Sequence, residues 1–365
     1  MKQFLFLAFS LLSYTSFCQS VGKTQNVILI TLDGMRWQEV FGGAEARLIN
    51  KNFVNDSTAV IRDFWAETPQ QRRQRLMPFV WSTIATQGQI YGNRDYGNFV
   101  NVSNNQWFSY PGYSEILCGF PDNERIHSND KFDNPNTNVL EFINKQKGFT
   151  GKVVAYSSWD VFPYIINTKR SGVPVNAGII EAKGVITEKE KWINELMHQV
   201  PNPLGDVRLD AFTFHYAFEY LKRNNPRVLY LALDETDDFA HQGRYDLYLN
   251  SAKNTDAMIK ILWNWLQSNP QYKDKTTLMI ATDHGRGTDD INAWKSHGSK
   301  MINSDQIWMA VLGPDTPPTG EVKKPEQIYQ NQVAKTLAAF LRLEYVNDPK
   351  PGETINTAMS TPVKK

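Results

Sequence analysis

The feature that most constrains this chain is a repeated punctuation, in which short apolar runs end abruptly on acidic residues. Ile28-Leu29-Ile30-Thr31-Leu32 runs into Asp33-Gly34. Leu229-Tyr230-Leu231-Ala232-Leu233 runs into Asp234-Glu235-Thr236-Asp237-Asp238 and on to His241. Leu278-Met279-Ile280-Ala281-Thr282 runs into Asp283-His284-Gly285, with Ser296-His297-Gly298 a short loop later. Continuous apolar runs of this length read as strands buried on both faces, the kind found in parallel sheets covered by helices. In such sheets ligands collect beyond the carboxyl ends of the strands.

The rest of the pattern agrees. Strands are expected over Asn26–Leu32, Lys152–Tyr156, Arg227–Leu233, Thr276–Thr282 and Ile307–Leu312. Met258, Ile261, Leu262, Trp265 and Leu266 follow the spacing of one helix face. Val333, Leu337, Phe340 and Leu341 do the same, with Pro325 in a first helical turn. Phe214, Phe218 and Leu221 mark a third helix, closed by Asn224-Asn225-Pro226. Alternating strands and helices predict an α/β three-layer sandwich with a largely parallel central sheet and helices on both faces. One catalytic domain is expected over 19–345, followed by a loose tail at 346–365.

Lys plus Arg number 39 against 38 for Asp plus Glu, so no basic field recommends a nucleic-acid duplex as partner. Two cysteines cannot staple a small scaffold or build a four-cysteine zinc site. Lys2, the apolar run Phe4–Leu12 and the Ser16-Phe17-Cys18 exit fit a secretory signal peptide over residues 1–18. The expectation is an exported protein, periplasmic or secreted, cleaved near Cys18-Gln19; lipid attachment at Cys18 is disfavoured by bulky Phe17. The run is too short to span a bilayer, and no later one is long enough.

Taken singly, each polar element has a plain structural reading. Asp33-Gly34 could be a turn, Asp283-His284 a helix cap, and Asp237 with His241 an i,i+4 pair. Together they supply carboxylates and imidazoles, which are the oxygen and nitrogen donors zinc accepts at ~2.0–2.2 Å. Such residues issuing from strand ends can enclose two ions ~3.5–4 Å apart. Of the six histidines, His127, His198 and His215 lack an acidic companion at ligand-like spacing. Ser109, ahead of a bend expected at Pro111-Gly112 and a helix from Ser114, is the candidate nucleophile, against a role as a simple cap. Ser114 is its rival.

These elements resemble the alkaline phosphatase superfamily, and within it the nucleotide pyrophosphatase/phosphodiesterase-like branch. The order matches: Asp33-Gly34, Ser109-Tyr110-Pro111, Glu235-x-Asp237-x-x-x-His241, Asp283-His284-Gly285, His297-Gly298. The resemblance implies two Zn²⁺ ions, one held by Asp237, His241 and His297, the other by Asp33, Asp283, His284 and the oxygen of Ser109. It also implies an Asn about twenty residues after the nucleophile that holds a phosphoryl oxygen; Asn129 fits, with Asn123 nearby. The chain departs from the branch in having Ser109-Tyr110-Pro111-Gly112 where Thr-Phe-Pro-Asn is common, and Ala240 where Gly precedes the histidine.

The implied activity is hydrolysis of small phosphate esters, monoesters or diesters, nucleotide-like ones included, through a covalent phosphoserine on Ser109. A sulfatase of the same superfamily is the second expectation, although Tyr113 stands where its Cys/Ser-x-Pro-x-Arg run needs Arg. A non-enzymatic glycan binder built on ten tryptophans is the third. Trp107, Phe108, Tyr110 and Trp294 are candidates for stacking substrate, and Arg36 and Lys295 for meeting its charge.

Overall fold

The computed structural model describes residues 22–360. The signal peptide expected at 1–18 and the last residues of the tail, 361–365, lie outside the described residues. Eleven strands are present: β1 (Asn26–Leu32), β2 (Gln89–Tyr91), β3 (Asn98–Asn101), β4 (Val153–Ser157), β5 (Val175–Ala177), β6 (Val228–Leu233), β7 (Thr276–Ala281), β8 (Gln306–Ile307), β9 (Met309–Leu312), β10 (Gly320–Glu321) and β11 (Glu326–Tyr329). Eight form a central sheet in the order β10-β2-β9-β7-β1-β6-β4-β5, and β11-β3-β8 form a small second one. The run β7-β1-β6-β4-β5 is parallel throughout; β9 is antiparallel to both its neighbours.

Because side chains alternate along a strand, β1 feeds two cores. Ile28, Ile30 and Leu32 join one buried cluster, and Val27 and Leu29 the other. Five helices matter below: α1 (Ser109–Cys118), α2 (Asp210–Asn224), α3 (Glu235–His241), α4 (Tyr245–Ser268) and α5 (Val333–Phe340). α2 and α4 pack on the first face through Phe214, Leu221, Leu262 and Leu266. α1 and α5 pack on the second through Tyr113, Leu117, Leu337 and Phe340. The result is a mixed α/β sandwich around a mostly parallel sheet, as expected.

Four local expectations are corrected. On α4 the buried face is Ile259, Leu262, Trp263 and Leu266, while Ile261 is 48% exposed, so the stripe lies about one residue off the spacing read from sequence. Pro325 precedes β11 rather than a helix; a pre-strand proline costs no ladder hydrogen bond. The expected strand Ile307–Leu312 divides at Trp308, a buried indole that donates to the Met35 carbonyl. Residues 346–360 are not loose, because Ile355, Ala358 and Met359 are buried in the second core. Their apolar positions are too sparse to carry a period. Among the described residues no helix is long and apolar enough to cross a membrane.

Candidate active site

The register sets the site. Leu32 lies level with Leu233, and Thr31 level with both Ala232 and Ala281, so the acidic segments after β1, β6 and β7 leave the sheet side by side. Nε2 of His284 lies 3.2 Å from Oδ1 of Asp33 and 3.3 Å from Oδ2 of Asp283. Nδ1 of His284 donates to the Gly285 carbonyl at 2.9 Å, so Nε2 is the nitrogen that faces the two carboxylate oxygens. Those two oxygens are buried and have no hydrogen-bond partner. Three electron-pair donors this close repel one another unless a proton or a metal cation lies between. Tetrahedral ligands ~2.1 Å from zinc sit roughly 3.4 Å apart, close to the spacing here.

A second convergence lies beside the first. Nε2 of His241 is 2.9 Å from Nε2 of His297 and 3.1 Å from Oδ2 of Asp237; Nε2 of His297 is 3.6 Å from Oδ1 of Asp237. The two groups are contiguous, since the His284 and His297 rings stack with centroids 3.9 Å apart and Asp237 lies 3.8 Å from His284. All seven residues expected to hold metal, Ser109 included, are thus in one place. Burial, and then the charge of Asp237, pushes the Asp33 carboxyl well above its ordinary range; burial, and then Asp33, does the same to Asp283. Burial also opposes ionisation of Asp237, but Arg286, His241 and His297 outweigh it and hold that carboxyl well below the usual range. Burial and the neighbouring His284 hold His297 neutral-prone, well below an ordinary histidine.

No family model matches the chain, and no curated protein does. Solved structures do match. An alkaline phosphatase, PafA carrying four substitutions, has a TM-score of 0.60 at 10% identity, over 93% of this chain and 100% of that one. A 2-O GAG sulfatase has a TM-score of 0.56 at 13% identity, over 92% and 74%. Murine ectonucleotide pyrophosphatase/phosphodiesterase 5, an inactive variant in complex with AMP, has a TM-score of 0.52 at 14% identity, over 87% and 95%. The chain has an alkaline-phosphatase-like fold.

Within this alkaline-phosphatase-like fold, Ser109 is the first residue of α1, and its Oγ lies 3.3 Å from Nε2 of His284. Phe108 occupies the cap position and no side chain caps the helix, so the Ser109 hydroxyl is not used as a cap. The expected bend at Pro111 is absent. Pro111 sits in the first helical turn, where its missing N–H is not needed. Gly112 has a different purpose: a Cβ there would lie 2.4 Å from the Asp283 carbonyl oxygen, so glycine lets α1 approach the end of β7. Ser114 points elsewhere, accepting from Asn134 at 3.0 Å.

Oδ1 of Asn129 accepts the Tyr110 N–H at 3.0 Å, which ties this residue to the start of α1; Oδ1 of Asn123 accepts instead from Asn105. The substrate-contact candidates are largely redirected. Arg36 is buried and paired with Glu39 and Glu45. Trp294 is buried among Phe53, Tyr245 and Tyr248, and Tyr110 is buried against Phe132. Lys295 reaches toward the Phe53 ring. Trp107 and Phe108 are only partly buried, and Trp107 adopts φ 55°, a strained setting for a bulky residue. Of the other histidines, His198 pairs with exposed Glu181 and His215 packs on Phe214, while His127 is exposed.

Sequence reasoning missed the residues that hold the ligands in place. The Tyr113 hydroxyl donates to Oδ2 of Asp33 at 2.9 Å, and the Gly34 N–H donates to Oδ1 of Asp283 at 3.1 Å. Arg286 contacts Oδ1 of Asp237. Each carboxylate therefore has one oxygen held by a protein donor. Buried Glu115 of α1 accepts from the backbone and side chains of Ser103 and Asn104, hanging the loop before Ser109 on the helix that follows it. Gln330 donates to the Thr282 and Asp283 carbonyls.

Proposed function

We propose that this chain is an exported, metal-dependent hydrolase of phosphate esters with Ser109 as nucleophile. The observation that carries the reading is the Ser109 hydroxyl, not used as a helix cap, beside His284 and the buried, unpartnered carboxylate oxygens of Asp33 and Asp283. Asp33, Asp283, His284 and the oxygen of Ser109 would hold one divalent cation, and Asp237, His241 and His297 the other. The mix of imidazole and carboxylate suits zinc. Such a pair supplies positive charge for the attacking and leaving oxygens of an in-line displacement.

The chain's own residues do the rest. At the start of α1 the Tyr110 N–H goes to Asn129, Pro111 has none and the Gly112 N–H goes to the Phe108 carbonyl, so the Ser109 N–H is the one left for a phosphoryl oxygen, whose charge the helix dipole favours. Asn129, its carbonyl oxygen taken by Tyr110, has its amide N–H₂ left to donate to a non-bridging oxygen. Oγ of Ser109, giving up its proton, attacks phosphorus as the bond to the leaving alkoxide breaks and that oxygen is protonated; water then cleaves the seryl ester, releasing phosphate from a monoester or a phosphate monoester from a diester and restoring the hydroxyl. Asn129→Ala is expected to lower kcat on the order of 10²-fold while zinc content is unchanged, the loss typical of one such donor. An unchanged kcat would remove Asn129 from the mechanism.

The deciding experiment is a panel of phosphate monoesters, phosphate diesters and sulfate esters assayed with the zinc-loaded protein. Turnover of phosphate esters is expected, and its absence alongside sulfate release would overturn the reading. Sulfatase action is the second reading, supported by the sulfatase among the structural neighbours. Against it, Tyr113 stands where the modified motif needs Arg, and its hydroxyl is committed to Asp33. Mass spectrometry finding an aldehyde at position 109 would reverse the order. Export rests on residues 1–18; a mature protein still starting at Met1 would overturn it.

A further inference from the structure

One buried guanidinium touches or adjoins each segment that carries a candidate carboxylate or imidazole ligand. Nε of Arg286 donates to the Gly34 carbonyl at 3.1 Å, next to Asp33. Nη1 donates to the Lys295 carbonyl at 3.1 Å, two residues before His297. Nη2 donates to the Asp237 carbonyl at 3.1 Å and also meets Oδ1 of that residue. Arg286 itself follows His284 by two positions. The loop after β1, helix α3, the turn after β7 and the loop before His297 thus share one planar fork.

Gly34 is shaped to admit it. Its φ is +56°, and a Cβ at this position would lie 2.7 Å from Nη2 of Arg286 and 2.9 Å from Oδ1 of Asp237. Glycine here both turns the chain and leaves room for the guanidinium.

We infer that Arg286 is a positioning residue that sets the Asp237 carboxylate and holds the two halves of the metal site in register. The inference rests on the metal reading above. By occupying Oδ1 of Asp237, the guanidinium turns Oδ2 toward His241, 3.1 Å away. Its charge also offsets part of the repulsion among Asp33, Asp237 and Asp283. A lysine keeps the charge but cannot bridge three carbonyls and a carboxylate at fixed angles.

The test is zinc titration of the full protein against a chromogenic chelator, together with the visible spectrum of the cobalt-loaded form. Arg286→Gln is expected to weaken one of two zinc sites by about 10–100-fold, the usual cost of losing a group that orients a ligand, and to alter the cobalt bands. The other site is expected to change by less than about threefold. Arg286→Lys should restore only part of the loss and serves alone if the Gln variant does not fold. Arg208→Gln is the control: this arginine is equally buried, and it bonds Thr213, Asn176 and backbone carbonyls away from the ligands. It should lower stability and leave both zinc affinities in place. Full restoration by lysine, or an equal loss in the Arg208 variant, overturns the clamp. A wild type that takes up no zinc overturns the metal reading and the clamp together. A wild type with two zinc ions beside an Arg286→Gln protein that binds both as tightly overturns the clamp alone.

Discussion

Ser109→Ala is expected to lower turnover of the best phosphate ester by about 10⁴-fold or more while both zinc ions stay bound. The two outcomes separate because Ser109 would be one donor among seven residues, whereas covalent chemistry has no other oxygen at its position. Its rival Ser114 is engaged with Asn134, whereas Ser109 is the serine beside His284. Acid quenching of the wild-type protein with a labelled substrate should trap a phosphorylated serine at position 109, and the variant should trap none. A Ser109→Ala protein that retained most of its activity would sink the nucleophile assignment. Metal content measured on the same samples guards against a trivial loss of fold.

Removing divalent cations is expected to lower Tm on the order of 10 °C at pH 8, and far less near pH 5. A ligand at a thousand times its Kd contributes ~4 kcal/mol per site, so two sites give a large effect. The pH dependence follows from the carboxyls. Burial holds Asp33 and Asp283 well above the ordinary carboxylate range in the metal-free protein, so the folded state binds protons more tightly than the unfolded chain. That stabilisation is fully present below the unfolded value of ~4 and is lost as pH rises toward the folded values. Asp237 works in the opposite sense: its lowered carboxyl favours folding above the unfolded value, and that contribution is lost only as pH falls below it. Between pH 5 and 8 the raised pair favours folding as pH falls, while His297, held well below an ordinary histidine, acts in the opposite sense. Cation binding is favoured as pH rises, because protons compete for the same donor atoms. Equal Tm values with and without chelator at pH 8 would contradict the metal reading.

Much of the fold was legible because its strands are apolar along their whole length. Asn26–Leu32 matched at both ends, and the ends of β4, β6 and β7 fell within a residue or so. The ligand set was legible for the same reason, since an acidic residue directly after such a strand has few places to go. What stayed hidden was whatever depends on approach between distant segments. Nothing in the sequence says that Tyr113 reaches Asp33, or that Arg36, close behind it, turns away to Glu39 and Glu45. Arg286 had one available signal, its place immediately after Asp283-His284-Gly285, but a charge beside ligands reads equally well as a substrate contact. The apolar residues of 346–360 were hidden because they dock singly rather than along a helix or strand.

The position of β1 between β6 and β7 bears on when the proposed cations could be acquired. Its two neighbours are synthesised long after it, and one more donor, His297, comes later still. A nascent polypeptide emerging from the ribosome has Asp33 but no partners for it. The proposed cation site can close only once nearly the whole chain is available, so ion capture there would be coupled to the completion of folding.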